Sequence, residues 1–218
     1  MVLQCLKTGG MIMKKSIYSL VLSENVIAAV DHLAYERHTN RSNLINQILA
    51  EYVSYETPER RMQDVFERMQ SLLGSTFQPL SNASPTMLTL RSALSYKYNP
   101  TVRYQVELYR TPKVAVGELK VSMRTQSATL SLLVMQFFKL WIKIEQAHHP
   151  ESDALVEDGR FIKRFVTDTM DSESIANGIS AYVDAFDHAL KTFFCNLDEP
   201  EIAEAYVENT YANAHLLF

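Results

Sequence analysis

Two clusters of polar side chains in the C-terminal half are the first candidates for chemistry. His148-His149-Pro150 suggests a metal site, and Asp184 precedes His188 by four residues on a predicted helix. Adjacent histidines point in different directions, and no cysteine or third histidine lies nearby, so a polar loop is the better interpretation. The spacing of Asp184 and His188 is more typical of a surface pair across one helical turn. We therefore predict no metal site and no catalytic pair.

The short motifs of common enzyme families are also absent from the sequence. It contains no Gly-x-Ser-x-Gly, His-Glu-x-x-His, Walker or dinucleotide-binding string. Cys5 and Cys195 stand too far apart for a zinc-ligand pattern and are too few for a disulfide framework, which is typical of a reducing cytoplasm. We predict that the protein is cytoplasmic, is not an enzyme and carries no cofactor.

Composition and charge narrow the choice of partners. Of the 218 residues, 47% are hydrophobic and 21% are charged, as in ordinary globular proteins, and no apolar run is long enough to predict a membrane span. The net charge is −4, with 10 basic and 5 acidic residues in 62–147 but 4 basic and 14 acidic residues in 148–218. Because the chain as a whole is acidic, any binding of nucleic acid must be local.

The elements that could position a binding site lie in residues 14–56. Residues 1–13 lack periodicity and are expected to be disordered or to precede the true start. Residues 15–22 are rich in β-branched and aromatic side chains and predict a short strand. Ser23 and Asn40 are suitable N-caps for two following helices with apolar stripes. One strand and two short helices bury too little apolar area alone, which favours a two-fold dimer with paired strands.

This unit resembles the ribbon-helix-helix family of DNA-binding repressors, of the Arc, MetJ and CopG type. The resemblance rests on the strand Tyr18-Ser19-Leu20-Val21-Leu22, on Ser23-Glu24, and above all on Asn40-Arg41-Ser42-Asn43-Leu44-Ile45. That last run matches the family's opening of the second helix. The resemblance covers residues 15–53 only, and residues 86–218 resemble no family that we identify.

The resemblance implies a homodimer, or a tetramer, bound to double-stranded DNA. Family members place the paired strands in the major groove and present the start of the second helix to a phosphate. By position, Tyr18, Leu20 and Leu22 point into the dimer core. The DNA-binding residues implied in this way are Lys15, Ile17, Ser19 and Val21 on the strand, and Asn40, Arg41, Ser42 and Asn43 at the phosphate clamp.

Two features depart from the family pattern. Ile17 and Val21 are apolar, whereas the outward strand positions are usually polar or basic. They either contact thymine methyl groups or are covered by protein. His38-Thr39 also replaces the usual glycine in the turn between the helices, where histidine tolerates a left-handed backbone better than most residues.

The remainder predicts an α+β domain. Thr57 and Pro58 begin a helix to about residue 73, followed by a polar hinge loop over 74–85, so 57–85 connects the two parts. Residues 87–124 alternate as a three-stranded antiparallel meander with a bulge near Gly117. Long helices are expected over 127–146, 172–194 and 199–211, and residues 160–166 suit a strand or a helix start. Residues 86–218 would then oligomerise or sense an unknown protein or small-molecule effector.

Two functions follow as alternatives. The first is a sequence-specific transcriptional regulator, expected to be a repressor, that binds DNA through a ribbon-helix-helix dimer. The second is a protein-interaction and dimerisation module, such as an antitoxin or a plasmid-maintenance accessory protein. The basic sheet segment either extends the DNA contact or is a solvated face, and the acidic C-terminal region either faces away from DNA or docks on that sheet.

Overall fold

The structure, a computed structural model, describes residues 19–53, 55, 57–80, 84–168, 171–214 and 216. These residues form six helices and a six-stranded antiparallel sheet, which confirms the predicted α+β class. The chain divides into two compact units, residues 1–61 (unit 1) and 62–218 (unit 2). None of the helices in the described ranges has the length and hydropathy needed to cross a membrane.

Two helices make up most of the described part of unit 1. Helix α1 (Glu24–Glu36) follows Ser23, which occupies the predicted N-cap position but makes no side-chain capping hydrogen bond. Helix α2 (Arg41–Tyr52) begins after Asn40, whose side chain accepts a hydrogen bond from the backbone of Asn43. Asn40 therefore caps α2 at the position that the sequence predicts.

The turn between α1 and α2 has the left-handed residue that the sequence leads us to expect. His38 has φ of 49°. The backbone N–H of Thr39 donates to the carbonyl of Ala34 at 2.9 Å, which closes the end of α1. A histidine thus occupies a conformation that glycine adopts at less cost.

Only residues 19–22 of the predicted N-terminal strand are among the described residues. Residues 19–22 belong to no strand and are exposed, and the rest of the predicted strand, with Lys15 and Ile17, lies outside the described residues, as do residues 1–13. A strand needs a neighbour to satisfy its backbone groups, and residues 19–22 pair with no strand within the described ranges.

Helix α3 (Pro58–Leu73) begins where the sequence indicates. The Thr57 hydroxyl accepts a hydrogen bond from the backbone N–H of Arg60 at 3.2 Å, and Pro58 opens the first turn. One side of the helix in unit 2 is buried, through Met62, Val65, Phe66, Met69 and Leu73. These side chains join the main hydrophobic core of unit 2.

The sheet of unit 2 is larger than predicted. Its strands run in the spatial order β1-β2-β3-β4-β6-β5, and every neighbouring pair is antiparallel. The strands are β1 (Gln78–Leu80), β2 (Met87–Ala93), β3 (Thr101–Leu108), β4 (Ala115–Met123), β5 (Ala154–Glu157) and β6 (Arg160–Val166). Strand β1 lies within the segment that its composition marks as a hinge loop, and β5 and β6 complete the opposite edge.

The irregularity predicted near Gly117 is present in β4. The register between β4 and β6 shifts between Ala115 and Gly117, as a β-bulge does. A Cβ atom on Gly117 would collide with the carbonyl of Glu107 on the neighbouring strand. The close approach of two backbones therefore requires glycine at this position.

The two-residue turn Asp158-Gly159 joins β5 to β6. Asp158 has φ of 49° and Gly159 has φ of 72°, and Glu157 pairs with Arg160 across the turn. Positive φ at both central residues is the type I′ geometry, for which Asp-Gly is a favoured sequence. This turn sets residues 160–166 as a strand rather than a helix start.

Replacing Gly159 by alanine should destabilise unit 2 by about 1 kcal/mol, because an L-residue is strained at positive φ. No neighbouring atom lies within 4 Å of the added Cβ, so steric collision plays no part. Urea denaturation of G159A against the wild type measures the difference. Unchanged stability would show that the turn relaxes to another type.

The connection between β2 and β3 shows a correction to the predicted strand bounds. Alternation in the sequence extends the first strand to Tyr98, but β2 ends at Ala93. Tyr98 and Asn99 have φ of 66° and 44°, and the backbone N–H of Leu94 donates to the carbonyl of Pro100. Residues 94–98 alternate in the sequence as strand residues do, but they form the connection between β2 and β3.

Three helices complete unit 2 with nearly the predicted bounds. They are α4 (Ala128–His148), α5 (Ser172–Cys195) and α6 (Pro200–Asn213). Ser127 caps α4 by accepting from the backbone of Leu130, and Asp171 caps α5 by accepting from Ser174. Local capping signals therefore set both helix starts.

The core of unit 2 lies between one face of the sheet and helices α4 and α5. The Phe186 ring of α5 is its centre, with centroid distances of 4.7 Å to Phe161 of β6 and 5.2 Å to Trp141 of α4. Tyr211 of α6 packs on the other side of Trp141 at 5.2 Å. Edge-to-face and tilted aromatic contacts thus join β6, α5, α4 and α6 in one cluster.

Candidate functional site

The four predicted clamp residues lie together at the start of α2. Asn40, Arg41, Ser42 and Asn43 are all exposed. The Asn40 Oδ1 atom accepts from the Asn43 backbone at 2.9 Å, so the cap occupies one of the N–H groups that a phosphate would contact. The other N–H groups of the first turn have no partner inside the helix.

Arg41 forms an ion pair that the sequence does not indicate. Its Nε atom donates to Asp31 Oδ1 of α1 at 2.6 Å, and its Nη2 atom contacts Asp31 Oδ2. The hydrogen bond from Arg41 holds the pKa of the Asp31 carboxyl below its usual value. Both side chains are exposed, so this pair is readily exchanged for another anion.

The described strand residues among the predicted contacts are open to solvent. Ser19 is exposed, and Val21 is 101% exposed. Leu20, which the resemblance assigns to the dimer core, is 57% exposed in the single chain. Lys15 and Ile17 lie outside the described residues.

Unit 1 carries a disproportionate share of the exposed apolar side chains. Ten of seventeen exposed large hydrophobic residues in the described ranges belong to it, whereas its buried apolar residues are Ala34, Leu44 and Ala50. We call these ten the apolar surface of unit 1: Leu20, Val21, Leu22, Val26, Tyr35, Ile48, Leu49, Tyr52, Val53 and Tyr55. Apolar exposure on this scale in a small unit is typical of an interaction surface.

Unit 2 contains a buried ionic network that sequence reasoning missed. Glu145 of α4 and Lys163 of β6 are 0% and 2% exposed, and Lys163 Nζ lies 2.6 Å from Glu145 Oε1. Glu145 also accepts from the Tyr182 hydroxyl at 2.7 Å and from Ser152 Oγ at 2.8 Å. The Tyr182 oxygen in turn accepts from Trp141 Nε1 at 2.9 Å.

A second buried carboxylate has a similar set of partners. Asp187 of α5 accepts from the Tyr104 hydroxyl at 2.8 Å and from Ser92 Oγ at 3.2 Å, and Lys191 Nζ lies 2.6 Å from it. Each carboxylate is thus held by a lysine, a tyrosine and a serine. Because the two carboxylates are buried, these networks join helices α4 and α5 to the sheet.

The predicted pair of Asp184 with His188 does not form among the described residues. Both side chains are exposed on the outer side of α5, while Asp187 turns inward. The sequence signal for Asp187 is its position directly after Phe186 and four residues after Val183, both of which are buried.

The histidine pair lies at the end of α4, beside Tyr211. The rings of His148 and His149 lie 5.2 and 6.3 Å from the Tyr211 ring. Burial, and next the charge of Glu145, raise the pKa of Tyr211, whose hydroxyl has no hydrogen-bond partner among the described residues. Within the same residues, no three His, Cys, Asp or Glu side chains are grouped so as to hold a metal ion.

The buried tyrosines predict the alkaline stability of unit 2. Burial raises the pKa of Tyr104 and Tyr182 well above the ordinary value, and the charges of Asp187 and Glu145 raise it further. The folded state therefore keeps both protons when the unfolded chain begins to lose them near pH 10. Their stabilisation is complete below that pH and is lost as the pH rises above it, by about 1.4 kcal/mol per tyrosine per pH unit.

Urea denaturation between pH 9 and 11 measures this slope. Tyr104→Phe should reduce the stability lost between pH 9 and pH 11 by about 1.4 kcal/mol, whatever the variant's stability at neutral pH. The exposed Tyr98→Phe is the matched control and should leave the slope unchanged. Equal slopes in wild type and Y104F would contradict the assignment.

The comparisons with other proteins give no independent guide to either unit. No protein-family model, no curated protein and no solved structure matches the chain.

Proposed function

We propose that the protein is a sequence-specific DNA-binding transcriptional regulator that acts as a dimer through unit 1. The main support for this proposal is the apolar surface of unit 1, which is exposed to solvent in a single chain. Unit 2 would provide further oligomerisation or respond to an effector.

Exposed apolar side chains on the N-terminal segment and on α2 support a ribbon-helix-helix dimer. Leu20 and Leu22 are exposed at 57% and 37%, and on α2 Ile48 and Leu49 are also exposed. A second copy of the chain supplies both missing elements at once: a partner for the strand over residues 15–22 and apolar surface for the helices. An isologous two-fold interface is the simplest arrangement that does so.

The clamp residues support DNA as the ligand of that dimer. The start of α2 presents Asn40, Arg41, Ser42 and Asn43 to solvent, and helix N-termini attract phosphate. In this proposal Arg41 leaves Asp31 and pairs with a backbone phosphate, which accepts two parallel hydrogen bonds from a guanidinium as a carboxylate does.

A mobility shift with the protein's own promoter region tests the proposal. Arg41→Ala should weaken binding by about 10- to 100-fold and reduce the log–log salt slope by about 2 per dimer, because one phosphate contact per chain is lost. Asp31→Asn is the matched control: it removes the competing carboxylate but keeps the cation, and should bind at least as tightly as the wild type. Absence of binding, or binding that salt does not weaken, would overturn the proposal.

A protein-interaction function, as in an antitoxin or a plasmid-maintenance accessory protein, is favoured by one observation. Val21 is fully exposed on the side of the strand that would face DNA. A protein partner buries such a side chain, whereas DNA offers it only thymine methyl groups. A copurifying protein that is lost on Val21→Asp, with no promoter binding by the isolated dimer, would establish this alternative.

A further inference from the structure

We propose that the open face of the sheet in unit 2 is a second contact surface for the phosphate backbone of duplex DNA. The open face is the side of the strands that alternates with the buried core positions. It carries Arg91, Arg103, Gln105, Glu107, Glu118, Lys120, Ser122, Glu157, Arg160 and Arg164. This inference goes beyond the proposed role of unit 1 and rests on it only for the identity of the ligand.

The first observation is a pair of like charges. Arg91 of β2 and Arg103 of β3 are directly opposite each other in the antiparallel register. Side chains in this relation are close neighbours, and two cations there repel each other unless an anion lies between them. A bridging phosphate group is such an anion, and guanidinium groups bind it with matched geometry.

The neighbours of the pair are neutral polar side chains rather than carboxylates. In the same row across the sheet, Gln78 pairs with Arg91 and Ser122 pairs with Arg103. The Gln78 Oε1 atom accepts from Arg91 Nε at 2.9 Å, which orients that guanidinium and leaves its other N–H groups for a ligand. Among the described residues, Gln78 and Ser122 are the direct neighbours of the pair in this row, and neither is acidic.

The acidic side chains elsewhere on the open face each lie beside a cation, and Glu157 of β5 is paired with Arg160 of β6. Lys120 contacts Glu118 and lies 4.0 Å from Glu107. The Tyr109 hydroxyl also donates to Glu118 at 3.0 Å. Lys120 thus supplies one positive charge against two carboxylates, and Arg91 and Arg103 are the cations of the face that have no carboxylate directly beside them in the register.

The distribution of charge in unit 2 supports a polyanion on this side. The helical side carries part of the acidic residues in 148–218, since α6 exposes Glu201, Glu204 and Glu208. Tyr104 and Lys163 on the core face of the sheet bond to Asp187 and Glu145 of the helices, so the helices cover the opposite face from Arg91. A unit that is basic on one side and acidic on the other is oriented by the field of DNA.

The test compares two double variants that remove the same charge. Arg91→Gln with Arg103→Gln removes the pair, and Lys139→Gln with Lys143→Gln removes two exposed cations of α4. Binding to a fluorescent 30-base-pair duplex is measured by anisotropy between 50 and 200 mM salt, with the promoter fragment and with an unrelated sequence. A thermal melt of each variant confirms that it is folded.

We expect R91Q/R103Q to reduce the log–log salt slope by about 1.8 per chain on both duplexes, and K139Q/K143Q to leave it unchanged. R91K/R103K, which keeps the charge, should retain most of the slope. The preference for the promoter should survive, because phosphate contacts carry no sequence information. An unchanged slope in folded R91Q/R103Q, with promoter preference intact, would overturn this inference alone. No DNA binding by the wild type would overturn the proposed function as well.

Discussion

Replacing Glu145 by alanine is expected to destabilise unit 2 by about 3–5 kcal/mol, the largest effect that we predict for a single substitution. Its partner Lys163 is 2% exposed and lies on the core face of β6, opposite Leu119 of β4. Loss of the carboxylate leaves an ammonium group in an apolar core without a counter-charge. The hydroxyl of Tyr182 and that of Ser152 lose their acceptor at the same time.

Urea denaturation of E145A measures this loss, and a double variant separates its causes. Glu145→Leu with Lys163→Met removes both charges and should recover most of the stability, because a buried pair is often replaceable by apolar side chains of similar volume. If the free energy of unfolding of E145A lies within about 1 kcal/mol of that of the wild type, Lys163 must reach solvent or another anion. A double variant as unstable as E145A would indicate that the hydrogen bonds, rather than the charge, are decisive.

The second large effect is expected from Leu20→Asp. In the proposed dimer each copy buries Leu20 against its partner, so the substitution places two unpaired carboxylates in one interface. Several kcal/mol of lost association free energy correspond to a dimer dissociation constant raised at least about 1,000-fold. Promoter binding should be lost with the dimer. Analytical ultracentrifugation measures the dissociation constant, and the mobility shift measures the binding.

Val21→Asp is the matched control for this experiment. It introduces the same charge one residue away, and consecutive side chains of a strand point to opposite faces. V21D should therefore remain dimeric, although it should bind DNA less tightly because its carboxylate approaches the phosphates. If both variants dissociate equally, or neither does, the strand over residues 15–22 does not pair across the two-fold axis.

Local signals in the sequence predicted most of the helical elements. Asn40, Thr57 and Ser127 cap the helices that their positions indicate, and the apolar stripes of α3, α4 and α5 face the core. Capping and amphipathic periodicity depend on residues within a few turns of each other, which is why they are readable along the chain. Asp158-Gly159 is a local signal of the same kind, because this dipeptide favours the two-residue turn that joins β5 to β6.

Alternation along a strand was less reliable than periodicity along a helix. Alternation predicts a first strand that extends to Tyr98, although β2 ends at Ala93, and it does not predict β1. Alternating side chains show that a segment suits a half-buried ladder, but not that a partner strand lies beside it. The six-stranded order, with β6 between β4 and β5, is a matter of long-range pairing.

The amino-acid sequence by itself determined where the helices begin, which of their faces are apolar, and that residues 15–53 resemble a unit that needs a second copy. Only the tertiary structure decided the partners of the charged residues. Glu145 follows Trp141 by four residues on the apolar side of α4, and Lys163 alternates with Phe161 and Phe165. Neither position in the sequence indicates that the two residues form an ion pair. An ion pair between a helix and a strand depends on how the two elements pack, and packing is a property of the whole chain rather than of any segment.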